Sequence, residues 1–343
     1  MSCMEYLIKF VSMFLLRFSL SITAYCYIIF QSDIDIWKLF QVLFAISGSI
    51  TENSAFFVCG FVTNLSSFGV IIGNFAMKNE FIALLQLFHE QNFTPQKQLC
   101  NLKTFLFLVI IFGMVVDCFW ICLFIFTIIE EFNVHLYVLV FCCIDFIVFS
   151  LMTHGPWIGF LIMYCEVCQQ LDYWAKSLIQ KVYSLDKNFD LCVTNECLQF
   201  SQEGLKRSSQ AFSSMLLWIT TILLSMMICN AFLAMSLFFV GIPPIGILML
   251  IGSLLFDSIL YCLNYLSQEV VDNVSKLKEA ISLSAAIPYE EKWEVIENLN
   301  TFKGFDACGY FTLGKSHLTS ILSNFTTFII VLVQFKMSEK PIV

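Results

Sequence analysis

Residues 307–336 read ACGYFTLGKSHLTSILSNFTTFIIVLVQFK. The stretch begins polar, turns into a nearly unbroken apolar run and closes on Gln334-Phe335. Crossing a bilayer takes roughly 20 residues of helix, and Thr312 to Phe335 supplies them. Ser316, Ser320, Ser323, Thr327, Ile330 and Gln334 recur at steps of four or three. That spacing puts them on one helical face. A small, mildly polar stripe on a spanning helix points to contact with water or with other helices, not with lipid. Two readings stand side by side: a channel lining, and the small-residue packing face that Ser and Thr also favour.

Outward from this helix, the rest of the chain is of the same character. Hydrophobic residues make up 59% of the 343 and charged residues 13%, against about 25% charged in an average soluble domain. A soluble protein this apolar could not cover its surface, so the composition indicates a multi-span membrane protein. The net charge is −8 and the 18 basic residues form no dense cluster, which argues against nucleic-acid binding. The 15 cysteines are scattered, many inside apolar runs, where they act as small hydrophobes. Cys165-Glu-Val-Cys168 has the spacing of half a metal site but no second pair or nearby histidines. The first 30 residues resemble a signal peptide with a cut after Ala24. However, Lys9 and Arg17 bracket the apolar part, and the run to Phe30 exceeds a usual signal core, so a first spanning helix is expected.

Seven hydrophobic segments emerge, at about 7–30, 37–62, 104–129, 134–162, 212–239, 242–265 and 312–336. The second is expected to continue as a helix to Phe75. Connections alternate between short (QSDIDI, EEFN, GIPP) and long (77–103, 163–211, 266–311). With the N-terminus in the cytoplasm, the cytoplasmic side holds 14 of the 18 basic residues, Lys315 at the start of the last span included. Only Lys38, Lys336 and Lys340 lie outside, with Arg17 in the first span. The positive-inside rule therefore puts the C-terminus in the exterior. This orientation is opposite to that of G-protein-coupled receptors, whose Asp/Glu-Arg-Tyr and Asn-Pro-x-x-Tyr motifs are also missing. Four sequons, at Asn64, Asn92, Asn273 and Asn324, all fall at cytoplasmic or membrane positions and are expected to carry no glycan.

The long loops are amphipathic, not disordered. Val270, Val274, Leu277 and Ile281 share a face within 266–287, and Trp293, Ile296 and Leu299 repeat the pattern after Pro288. Residues 168–184 and 196–211 behave likewise. Such faces need apolar partners, either one another or a membrane surface. No catalytic constellation appears: His154-Gly155-Pro156 and Gly69-Val-Ile-Ile-Gly73 match no nucleophile elbow or phosphate loop. The chain is not expected to be an enzyme. Four acids lie inside spans, namely Glu52, Asp117, Asp145 and Asp257. Each costs roughly 2.5–3.5 kcal/mol at mid-membrane, so each is expected to face the bundle interior, water or a partner.

Thr327-Phe328, five apolar residues and Gln334-Phe335 together resemble the signature of insect gustatory receptors, Thr-Tyr, five hydrophobic residues, Gln-Phe. Ala307 to Leu313 is similar to that family's approach to its last helix. Phe328 departs from the usual Tyr, and the match covers about 30 residues.

The resemblance implies an all-α membrane protein of seven transmembrane helices. Residues 1–265 would form a six-helix bundle with cytoplasmic extensions at 77–103 and 163–211. Residues 266–311 would be a cytoplasmic anchor helix, and 312–343 a pore-lining seventh helix and short extracellular tail. It implies a non-selective, ligand-gated cation channel in the plasma membrane of sensory neurons. The assembly would be a homotetramer, or a heteromer with related receptors, in contact with membrane lipid and without a cofactor.

The family's ligand pocket lies in the outer half of the bundle, where Asp117, Trp120, Phe124, Tyr137 and Asp145 are the expected contacts for a small-molecule tastant. Ordinary packing is the competing role for any one of them. Ser323, Thr327, Ile330, Gln334 and Phe335 are the expected pore and gate residues, the outer constriction falling at the last two. Sugar-receptor relatives usually carry an acid just after the Thr-Tyr pair; here Ile329 follows Phe328, and the 38 Phe residues suit bitter plant compounds better. The competing identities are an odorant receptor of the same superfamily, disfavoured by the Gln-Phe ending, and a transporter, although no internal repeat is visible.

Overall fold

The computed structural model describes residues 62, 65–66, 69–73, 76–90, 136–184, 191–240 and 243–338. Within them the chain is mostly helical. Helix α1 spans Lys78–Glu90 and α2 spans Leu136–Ser184, a single rod of 49 residues. Helix α3, Leu191–Gln199, runs through a π-helical turn at Phe200–Lys206 into α4, Arg207–Val240. Helix α5, Pro243–Leu283, opens on two prolines, which a first helical turn tolerates because its N–H groups are unbonded there anyway. Helix α6 is Tyr289–Asn300. Strands β1 (Asp306–Ala307) and β2 (Phe311–Thr312) pair antiparallel, and α7, Lys315–Ser338, closes the described chain.

Three stretches are long and apolar enough to cross a membrane: Leu191–Phe239, Gly246–Leu283 and Lys315–Phe335. The expected spans at 7–30 and 104–129, and that at 37–62 except for its last residue, lie outside the described residues, as do Glu52, Asn64 and Asn92. The last helix begins at Lys315, not at Thr312, because Phe311-Thr312 is drawn into the ladder with Asp306-Ala307. The turn between those strands puts Cys308 and Gly309 at positive φ, 53° and 76°. Asp306 Oδ2 accepts the Gly309 N–H at 2.7 Å, and Ser213 Oγ of α4 accepts that of Cys308 at 2.9 Å, so the strained turn is pinned to α4.

The core is aromatic at its centre. Phe212 of α4 meets Phe81 of α1 at 5.2 Å, Phe160 and Tyr164 of α2 at 5.5 and 5.3 Å, and Phe305, just before β1, at 6.2 Å. Phe305 also meets Tyr164 at 5.2 Å and Phe302 at 5.6 Å. Most of these pairs are edge-on, the arrangement favoured by ring quadrupoles. A second centre lies where Trp174 of α2 packs edge-on against Phe200, the first residue of the π turn. Gly69 and Gly73, one helical turn apart, serve close packing. A Cβ on either would stand within 2.7 Å of the Trp218 or Met215 side chain of α4.

The amphipathic faces bury against one another. Val270, Val274, Leu277 and Ile281 are all buried, in one cluster with Leu171, Trp174 and Leu178 of α2 and Cys197 and Leu205 near the π turn. They form a packed helical unit, unlike helices lying separately on a surface. One member of the expected stripe departs from it: Trp293 is 62% exposed, while Val295 and Leu299 point inward. Helix α6 docks through Val295 and Leu299, with Ile296 partly buried beside them, and the Trp293 ring falls off the edge of this face. Asn273 is buried and its amide donates to Asp172, so it is occupied inside the core whichever side of a membrane it lies on. Cys165 and Cys168 are both buried and take part in the same core.

Removing the Phe212 ring should cost about 3–5 kcal/mol, the usual range for a buried Phe→Ala change. Thermal unfolding of the detergent-solubilised protein should therefore show a large fall in Tm for Phe212→Ala and almost none for the exposed Tyr183→Ala.

Candidate functional site

Helix α7 is 24 residues long, yet among its described side chains only Ile321 is buried. Every residue of the polar stripe, Ser316, Ser320, Ser323, Thr327, Ile330 and Gln334, is exposed. Phe328 and Phe335 are exposed too, Phe335 at 59%. Among the described residues, no helix covers the stripe. The five expected gate residues Ser323, Thr327, Ile330, Gln334 and Phe335 all lie uncovered on this helix.

Its hydroxyls are tied inward. Thr319 Oγ1 donates to the Lys315 carbonyl at 3.0 Å, Ser320 Oγ to Ser316 at 3.0 Å, Thr326 Oγ1 to Leu322 at 2.8 Å and Thr327 Oγ1 to Ser323 at 3.0 Å. Bonding back four residues satisfies each donor within the helix. What such a hydroxyl turns outward is an oxygen with its lone pairs.

The base of α7 is anchored on α5. Ser267 Oγ donates to the Leu313 carbonyl at 3.0 Å, Asn264 Oδ1 accepts the Gly314 N–H at 3.0 Å, and Gln268 Oε1 accepts the Lys315 N–H at 3.2 Å. His317 Nδ1 lies 3.0 Å from the same Asn264 oxygen, and its ring stacks on Phe311 at 4.1 Å. Because Asn264 Nδ2 donates to the Leu260 carbonyl, its oxygen faces His317, which places the imidazole proton on Nδ1. The sequence pattern had not marked Asn264 and Gln268. Two amides and a serine at the end of an apolar run look like the ordinary polar boundary of a span.

Asp117, Trp120 and Phe124 of the expected ligand pocket lie outside the described residues. Tyr137 and Asp145 lie on α2, Tyr137 in its first turn and Asp145 two turns further on. The fourth acid, Asp257, is half-buried on α5, and its Oδ1 has no hydrogen-bond partner. A separate cleft of ≈ 1060 Å3 opens between α1, the π turn, α6 and the strands, lined among others by Glu80, Glu203, Lys206, Arg207, Lys303 and Asp306. Its charges balance, Arg207 Nε already binds Glu80 at 2.8 Å, and none of the expected ligand contacts lines it.

Since the Ser320 and Thr327 hydroxyls are satisfied inside their own helix, Ser320→Ala and Thr327→Val should each change stability by less than about 1 kcal/mol. Unfolding in detergent should show this, and a larger loss would mean that these oxygens serve another partner. No known family model and no curated protein matches the chain.

Proposed function

We propose that this chain is a ligand-gated, non-selective cation channel of the insect gustatory receptor type. It would be a multi-pass protein of the sensory-neuron plasma membrane that opens on binding a small-molecule tastant, with bitter plant compounds as the ligand class. One observation carries the reading: α7 is long and apolar enough to span a membrane, but its polar stripe is left uncovered by the described residues. A lipid-facing helix has no use for a line of Ser, Thr and Gln interrupted only at Ile330, and an internal packing face would be buried. A line shared between copies of the chain around a water-filled axis accounts for both features. The assembly is then a homotetramer, or a heteromer with related receptors, with seven crossings per subunit and the C-terminus outside.

The chemistry of the stripe supports cations over anions. Ser320 and Thr327 direct their protons to their own helix and their lone pairs outward. Rings of neutral oxygen without a formal charge attract cations weakly and distinguish poorly among them. Gln334 and Phe335, near the far end of α7, would form the constriction. Ligand gating requires that the ligand bind the open arrangement more tightly than the closed one. The Asp117, Trp120, Phe124, Tyr137 and Asp145 group is the proposed place for that difference to arise.

Expression of the full chain alone, with calcium imaging against plant metabolites, should give ligand-dependent cation entry. In whole-cell recordings Gln334→Ala and Phe335→Ala should alter rectification and relative permeability. Wild-type behaviour in both variants would remove α7 from the conduction path. An epitope placed after Val343 should be reached by antibody on intact cells; labelling only after permeabilisation would overturn the orientation.

A further inference from the structure

The start of α7 is capped from outside itself. Leu318 N–H donates to the Gly314 carbonyl at 3.1 Å, so the helical hydrogen bonds begin at Gly314 and this residue stands at the N-cap. A cap residue ordinarily satisfies first-turn N–H groups with its own side chain, and glycine has none. The unbonded N–H groups at the very end of the helix are met by α5, that of Gly314 by Asn264 and that of Lys315 by Gln268. Ser267 adds a bond to the preceding carbonyl of Leu313. Three consecutive backbone groups are thus held by residues spaced i, i+3 and i+4 on one face of α5.

Both amides are locked in the orientation the cap requires. Asn264 Nδ2 donates to the Leu260 carbonyl at 2.8 Å, and Gln268 Nε2 to Asp272 Oδ1 at 2.8 Å. Flipping either would lose bonds at both ends. Asn264 and Ser267 are 1% and 0% exposed, so water cannot replace what they supply. Gly314 is also sterically required: a Cβ there would stand 2.9 Å from Gln268 Oε1.

The geometry points to a coupling device: α5 provides the N-terminal cap of α7 from Asn264 and Gln268, and movement of α5 reaches α7 through this borrowed cap. The inference rests on the channel reading, since it assigns the route by which the gate is driven. Bonds of 3.0–3.2 Å fail when stretched by about 0.5 Å. A shift of α5 therefore either carries residues 313–315 with it or uncaps the helix. Because α7 has so little packing of its own, the first course keeps every bond, and the base of α7 follows α5.

The test separates capping from coupling with two variants of the full chain. Gln268→Ala removes one cap bond. Gly314→Ser in the Gln268→Ala background gives α7 a cap of its own, a serine Oγ placed to accept from the Ser316 or His317 N–H. By hydrogen–deuterium exchange, the amides of 315–317 should exchange about fivefold faster in Gln268→Ala, the size of one lost cap, and those of 316 and 317 should return toward wild type in the double variant. In planar bilayers, without added ligand, basal open probability should differ from wild type severalfold in both variants, because the double variant restores the helix end but not its link to α5.

Unchanged exchange in Gln268→Ala would overturn the borrowed cap while leaving the channel reading standing. Recovery of wild-type gating together with exchange protection in the double variant would show a purely structural cap and overturn the coupling. A wild-type chain that passes no current with any tastant would defeat the channel reading and the coupling with it, while the exchange result would still decide the cap.

Discussion

The contact on which the rest depends is that of Phe305 with Tyr164 and Phe212, at 5.2 and 6.2 Å. It is the point where a loop after α6 is clamped between two long helices. Everything downstream takes its position from there. Leu313 N–H reaches the Phe305 carbonyl at 2.9 Å, the Cys308 turn is pinned on Ser213, and the base of α7 meets α5. Aromatic edge-to-face pairs add specific geometry to the burial of large rings, which suits a place that must fix an angle as well as fill a volume. Helix α7 itself contributes little to its own placement, with one buried side chain among those described on it.

Polar chemistry in this chain gathers where helices are joined. Lys176 of α2 binds Asp172 at 2.6 Å and Glu269 of α5 at 3.6 Å. Burial alone would lower its pKa, but the two carboxylates outweigh that and hold it above the ordinary lysine value. The group is about half exposed, so solvent screening leaves the pair little net stabilising effect; it serves register more than strength. Lys181 and Glu196 repeat the arrangement between α2 and α3 at 2.6 Å. Together with Asn273 on Asp172, these contacts fix how α5 and α3 lie along α2. The pairing of α4 with α5 relies instead on apolar and small side chains, with Ser253 Oγ reaching across to the Met227 carbonyl at 2.9 Å.

The parts of this arrangement that follow a period were legible in the residues. Val270, Val274, Leu277 and Ile281 announce a buried helical face because burial of a helix repeats every 3.6 residues, and all four are inside. Trp293 fits the same period and is outside, since period alone cannot say how wide a docking face is. The start of α7 was misplaced by three residues because hydropathy does not register a two-residue ladder. Gly69 and Gly73 could be excluded as a phosphate loop, but their contact with Trp218 and Met215 needs the packing of two helices to become visible. The borrowed cap was hidden most completely. An N-cap is sought in the residue just before a helix, and here the capping oxygens come from about 50 positions earlier, Asn264 and Gln268.

Length turns the weakness of α7's own packing into a mechanical property. At 1.5 Å per residue its 24 residues extend about 36 Å. A rotation of about 10° at the base would move the far end by about 6 Å, more than the width of a side chain. The base is held by directed hydrogen bonds with little tolerance, while the side chains of Gln334 and Phe335 near the tip are exposed and uncovered by the described residues. A small change where α5 meets Gly314 is thus amplified at the place where a constriction is expected. A helix packed along its whole length would resist such a tilt at every turn, so the exposure that leaves α7 in need of neighbours also lets it act as a lever.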